Sequence, residues 1–257
     1  MPSSKKRTKK NVKKTRSANA MKNVLILATC ACLATPVWAA GEATVTNLAG
    51  VLSVRKADGV LKILSLNSMV DSGDLLATGP SSYARLKFVD GGELTLRPNT
   101  ELRVDSFRFE QAKPDEDNAF FRLIKGGLRA VTGLVGKRSG LADYRMTTPT
   151  ATIGIRGTNY GALFCQSDCS DYRDNEGKSP ADGLYVDVAD GLIVLSNDKG
   201  SQQFLPGQYG YSGSEQAPVL MPQKSGVPIA TDTGTNKPPE AVLGDKPQRQ
   251  NFECTIE

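Results

Sequence analysis

Between about Thr44 and Tyr211 the chain alternates apolar and polar residues in short runs, most of them ending at a glycine-containing turn. Val51–Arg55 is followed by Asp58 and Gly59 and then by Leu61–Leu66. Tyr83–Val89 leads through Asp90, Gly91 and Gly92 into Glu93–Leu96. Phe120–Ile124 and Leu128–Val131 flank Lys125, Gly126 and Gly127, and Leu184–Val188 and Leu192–Leu195 flank Asp190 and Gly191. Period-two alternation puts one face of each run into a core, and Asp-Gly or Gly-Gly pairs between such runs predict hairpins. No long stretch carries a helical period. The pattern predicts an all-β fold, a single domain over residues 44–212 built as a β-sandwich or jelly-roll-like pair of sheets, with a short β-solenoid as the alternative. A chain of that length buries enough apolar surface to be stable alone.

Three stretches fall outside the alternation. Gln111–Asn118 is a charged loop, 165–183 is a polar insertion, and 213–257 is rich in Pro, Gly, Thr, Lys and Gln. The last has too few apolar residues to bury itself and is expected to be a disordered tail.

The amino terminus changes the reading of charge. Residues 1–23 hold nine Lys or Arg and no acid, an apolar run starts at Val24, and Val37, Trp38 and Ala39 form a small-residue cleavage pattern. This order predicts a secretory signal peptide over 1–39, cut between Ala39 and Ala40, with Met21 as an alternative start. Kept uncleaved, Val24–Ala40 would be a short membrane anchor, and Cys30 stands in a poor lipobox. The full chain has 32 basic and 27 acidic residues; removing the nine basic ones leaves 23 against 27, a net charge of −4. The basic balance therefore belongs to the leader and implies no nucleic-acid partner. A periplasmic or secreted location follows, with the membrane involved only through the signal segment.

Export sets the redox context. Cys165 and Cys169 are spaced to bridge in an oxidising compartment, which leaves Cys254 over. The chain has no histidine, which excludes Ser-His-Asp and Cys-His catalysis and a Cys/His zinc site. No phosphate loop, dinucleotide fingerprint or serine elbow occurs, so neither cofactor nor metal is expected. Asp168, Asp171, Asp174 and Glu176 gather acids in one loop, but Arg173 and Lys178 offset them and the spacing is not that of an EF-hand.

The most informative run is Thr147 to Thr158. Its β-branched residues and Pro149 disfavour a helix. As a strand it turns Ala151, Ile153 and Ile155 to one face and Thr152, Gly154 and Arg156 to the other. Gly154 and Gly157 beside Arg156 suggest a guanidinium held close to backbone. Arg156 is expected either to pair with a turn carboxylate such as Asp74 or Asp90, or to hold an anionic ligand. Asp74, after Gly73, and Asp90, before Gly91, read as turn formers, with a catalytic carboxylate pair as the sharper alternative. Phe107, Phe109, Phe120, Phe121, Tyr83 and Tyr144 read as packing residues or as an aromatic platform for a glycan or peptide.

Thr148, Pro149, Thr150, Ala151, Gly154, Arg156, Gly157 and Thr158 together resemble the TPTA-x-IG-x-RGT hallmark of the FecR-type periplasmic domain. Gly73 and Asp74 leading to Thr78 and Gly79, the strands around Asp90 and Gly91, and Gly126 to Arg129 resemble its other pieces in order. The resemblance covers about 51–161 and implies an exported all-β module. The regulator that names the family also has a cytoplasmic anti-sigma segment, and the basic residues ahead of Val24 are too few to form one. The reading is thus a non-enzymatic binding or scaffolding module of the bacterial cell envelope with a protein or cell-wall partner. The alternatives are the sensor arm of a transmembrane signalling system and a carboxylate-dependent enzyme acting on glycans.

Overall fold

The computed structural model describes residues 41–138, 142–170, 172 and 177–222. The signal segment, the cleavage site at Ala39 and Ala40, Asp171, Arg173, Asp174, Glu176, Cys254 and the tail beyond 222 lie outside the described residues.

The fold is all-β: among the described residues, fifteen strands are joined by hydrogen bonds into one unclosed sheet. In chain order they are β1 (Ala43–Ala49), β2 (Leu52–Arg55), β3 (Leu61–Leu64), β4 (Met69–Val70), β5 (Leu75–Thr78), β6 (Tyr83–Phe88), β7 (Glu93–Leu96) and β8 (Glu101–Arg108). Then come β9 (Asn118–Val131), β10 (Tyr144–Thr147), β11 (Thr152–Cys165), β12 (Gly183–Asn197), β13 (Gly200–Phe204), β14 (Tyr209–Ser212) and β15 (Val219–Met221). A five-residue helix, α1 (Leu134–Arg138), follows β9, and a 3-10 turn (Pro114–Glu116) sits in the charged loop. Every pairing among the described residues is antiparallel except that of β10 with β9.

Strand β9 is the hinge of the architecture. Its first half pairs with β8, which leads through β5 and β2 to β3; its second half pairs with β7, which leads through β6 and β1 to β4. The two branches share a single core. Phe88 of β6 meets Phe107 of β8 with ring centroids 4.8 Å apart, and Phe88 meets Phe121 of β9 at 5.3 Å. One sheet therefore folds over on itself around this core, in the all-β single domain that the alternation predicts.

The Asp58–Gly59 and Asp90–Gly91 pairs do make hairpins, joining β2 to β3 and β6 to β7. The pairs at 126–127 and 190–191 do not. Strand β9 runs straight through Gly126 and β12 through Gly191. Each of these glycines has positive φ, 78° and 80°, and bends a long strand instead of ending it. At the second bend, a Cβ on Gly191 would lie 2.0 Å from the carbonyl oxygen of Gly157, which itself has φ 54°. Strands β11 and β12 therefore kink together. The register between them shifts there, and the inward positions of β11 change from Ile153 and Ile155 to Thr158, Tyr160 and Ala162.

Candidate functional site

The hallmark strand works by letting side chains stand in for backbone. Thr148 Oγ1 donates to the carbonyl of Ala151 at 3.0 Å and accepts its N–H at 3.1 Å, which closes the turn that holds Pro149 and Thr150. Thr132 Oγ1 donates to the carbonyl of Thr158 at 3.1 Å and accepts its N–H at 2.8 Å. Ala151, Ile153 and Ile155 are buried, and Gly154 lies in the ladder opposite Arg145 of β10. A hydroxyl that both donates and accepts can bridge a ladder where two backbones diverge.

Arg156 is not the held guanidinium. It is exposed and makes no hydrogen bond or ion pair with any described residue. It precedes the Gly157 kink, so its side chain leaves the sheet on the solvent face. The pairing expected with Asp74 or Asp90 does not occur. The arginine held close to the sheet is Arg129, whose guanidinium donates to Asp187 Oδ2 at 2.7 Å and to Asn159 Oδ1 at 2.7 Å, with 11% of each ionic side chain exposed. Arg129 was visible in the sequence as the last residue of the step that starts at Gly126. Its partner was not, because Asp187 lies 58 positions away on another strand.

Asp74 and Asp90 are both buried and committed to loops. Asp74 Oδ2 accepts Lys56 Nζ at 2.7 Å and the backbone N–H of Asp71 at 2.9 Å. Burial alone would lower the pKa of Lys56, but its hydrogen bonds to Asp71 and Asp74 carry it above the usual lysine value. Gly73 (φ 87°) brings its N–H to the carbonyl of Val104 at 2.7 Å. Asp90 accepts the N–H of Gly92 at 2.8 Å and that of Val135 at 3.1 Å, which ties the hairpin at Gly91 to the start of α1. The two carboxylates share no partner and serve backbone donors or a lysine.

Cys165 and Cys169 are joined by a disulfide, with Cα atoms 5.5 Å apart. It belongs to a small second cluster with Leu163 and Tyr185 on the outer face of β11 and β12, against which Tyr172, Tyr211 and Met221 pack. The described part of the 165–183 insertion is therefore fastened to the sheet. Among the aromatics, Phe107, Phe121 and Tyr144 are core residues, whereas Phe120 lies under Arg145 and Phe109 under Arg138. Tyr144 and Tyr160, both buried, share a hydroxyl–hydroxyl hydrogen bond of 3.0 Å. Among the described residues no group of acids, cysteines or histidines is placed to hold a metal.

Two surface features remain. Among the described residues strand β3 pairs only with β2, and it exposes Leu61 (67%) and Ile63 (71%) on one face. Among the described residues, six of the eleven exposed large apolar residues lie between Val51 and Met69 in the sequence, two of them on β3. The second feature is an open trough of about 450 Å³ where the β6 start, the β7–β8 turn, the β9 bend and the disulfide loop converge.

Residues 74–192 match the family model described as FecR protein. No curated protein sequence matches the chain. Two crystal structures of a candidate anti-sigma factor from Parabacteroides distasonis ATCC 8503 are similar at 11% and 12% identity, with TM-scores of 0.42 and 0.43. Each comparison covers 59% of this chain and 60% of the other, so the match spans about three-fifths of that protein.

Proposed function

Because residues 74–192 of this chain are a FecR domain, we propose that the protein is an exported, non-enzymatic binding or scaffolding module of the bacterial cell envelope. The observation that carries this reading is the edge strand β3. Its outer backbone edge has no strand partner among the described residues, and Leu61 and Ile63 present two apolar side chains at alternate positions beside it. Such an edge accepts an extended segment of another protein as an added strand, with the backbone giving affinity and the alternate side chains giving specificity. Turnover has little to work with: the buried acids Asp74 and Asp90 are occupied by loop contacts and the chain has no histidine.

A photo-crosslinking residue placed at Ile63 in the exported protein tests the reading in living cells. A discrete adduct from position 63 that is absent from position 87, on β6, supports it. No adduct from 63, or the same adducts from both positions, contradicts it. Sequencing the native amino terminus separates a free module from a sensor arm: a start at Ala40 removes the anchor that the sensor reading needs.

A further inference from the structure

We propose that the trough at the β9 bend is a binding site for a carboxylate-bearing saccharide, anchored by Arg97. The proposal rests on the binding-module reading and gives it a second ligand, separate from the strand acceptor at β3.

The walls come from four parts of the chain. Tyr83 opens β6, Arg97, Pro98 and Asn99 form the β7–β8 turn, Lys125 and Gly126 lie at the β9 bend, and Asp168, Cys169 and Tyr172 belong to the disulfide loop. A volume of about 450 Å³ falls within the range of small-ligand sites.

The floor is fixed in place. Thr78 Oγ1 donates to the carbonyl of Arg97 at 2.6 Å and accepts the N–H of Thr100 at 3.0 Å. Thr100 Oγ1 in turn holds both backbone groups of Gly127. A Cβ on Gly126 would come within 2.7 Å of the Asn99 carbonyl, so only glycine lets these two backbones meet. On the far wall the Cys165–Cys169 bridge positions Cys169. A site so held loses little freedom on binding.

The charges select the ligand. Lys125 is paired with Glu101 at 3.2 Å, and on the neighbouring row of the same face Arg129 is paired with Asp187 and Arg85 lies 4.0 Å from Glu93. Arg97 is half-buried and makes no side-chain hydrogen bond or ion pair with any described residue. The Tyr83 hydroxyl and the Asn99 amide are likewise without partners there. The acid that the described residues contribute to the wall, Asp168, is turned to its own loop, its Oδ1 accepting the N–H of Gln166 at 2.8 Å, and a free guanidinium in a partly enclosed site calls for a carboxylate, which it can bind through two parallel hydrogen bonds. Two tyrosine rings together with a free amide and hydroxyl suit a sugar, whose ring faces stack on aromatics while its hydroxyls take hydrogen bonds. An acidic peptide would share the carboxylate but not the need for this density of short polar contacts.

Titration calorimetry on the full exported protein decides the matter, with trigalacturonate and a hyaluronan tetrasaccharide as probes, maltotriose as the neutral control and triglutamate as the acidic peptide. The expected result is binding of at least one acidic saccharide that weakens with salt, with no binding of maltotriose or triglutamate. Arg97→Ala should weaken it roughly ten- to a hundredfold, the loss of a charge-assisted pair. Arg97→Lys should recover only part of that, and a thermal melt of each variant checks that the fold is intact. Reducing the disulfide should also weaken binding, because Cys169 forms part of the wall. Binding of neither acidic saccharide, equal binding by folded Arg97→Ala, or stronger binding of triglutamate overturns the proposal. If crosslinking from Ile63 persists in that case, the trough assignment alone fails and the binding-module reading stands.

Discussion

Thr100 Oγ1 donates to the carbonyl of Gly127 at 2.8 Å and accepts the N–H of the same residue at 3.0 Å. One hydroxyl thereby holds both backbone groups of a residue at the β9 bend, beside the Arg97 N–H, which donates to the same carbonyl at 2.9 Å. Thr100→Val keeps the shape and removes the hydroxyl, which leaves the buried N–H of Gly127 unpaired while its carbonyl keeps the N–H of Arg97 at 2.9 Å. The expected loss is about 1–3 kcal/mol in urea unfolding, with Thr100→Ser close to the parent.

The buried Tyr144–Tyr160 pair predicts a non-additive mutant cycle. Tyr144→Phe leaves the Tyr160 hydroxyl buried without its partner and should cost about 1–3 kcal/mol. The double Phe variant removes both hydroxyls and should be more stable than the sum of the two single changes implies.

The same pair predicts the alkaline limb of stability. Burial raises both tyrosine pKa values above the ordinary value of 10.0, and the hydrogen bond shared with Tyr160 only partly offsets this for Tyr144. The folded state keeps these protons at pH values where an unfolded chain releases them. Their contribution is therefore full below about pH 10 and is lost as pH rises above it toward the folded values. Unfolding free energy should fall above about pH 10 in the parent and fall less steeply in the double Phe variant.

Arg129 and Arg156 should respond in opposite ways. Arg129→Ala strands Asp187 against the sheet and should cost about 3 kcal/mol. Arg156→Ala removes an exposed cation without a partner and should leave the melting temperature within the scatter of surface substitutions, about 0.5 kcal/mol. Equal destabilisation by the two would restore the role that the sequence suggests for Arg156.

Asp90 should be structural. Asp90→Ala removes the acceptor of two backbone N–H groups, at Gly92 and Val135, and should cost about 2–3 kcal/mol.

Alternation made much of the fold legible. Strands as short as β6 and β7 show it cleanly because one face meets the core and the other meets water. The hairpins at Asp58 and Asp90 were legible because Asp-Gly suits their turns. Gly126 and Gly191 were misread because positive φ serves a strand bend as well as a turn, and only the partner strand decides which. The face of Ile153 and Ile155 was readable, but the fate of Arg156 was not: the Gly157 kink that leaves it in solvent depends on Gly191, on another strand. The trough was equally hidden. Its residues lie on four separate segments that converge through the β9 bend; Tyr83, the Lys125–Gly126 pair and the disulfide loop stand out in the sequence, but Arg97 and its turn do not.

Hydrogen–deuterium exchange of the exported protein, alone and with an envelope fraction from the same cells, tests most directly whether the molecule acts by adding a strand to its free edge. The account predicts slowed exchange confined to the amides of residues 60–66. Unchanged exchange there, with protection elsewhere on the sheet, would contradict it.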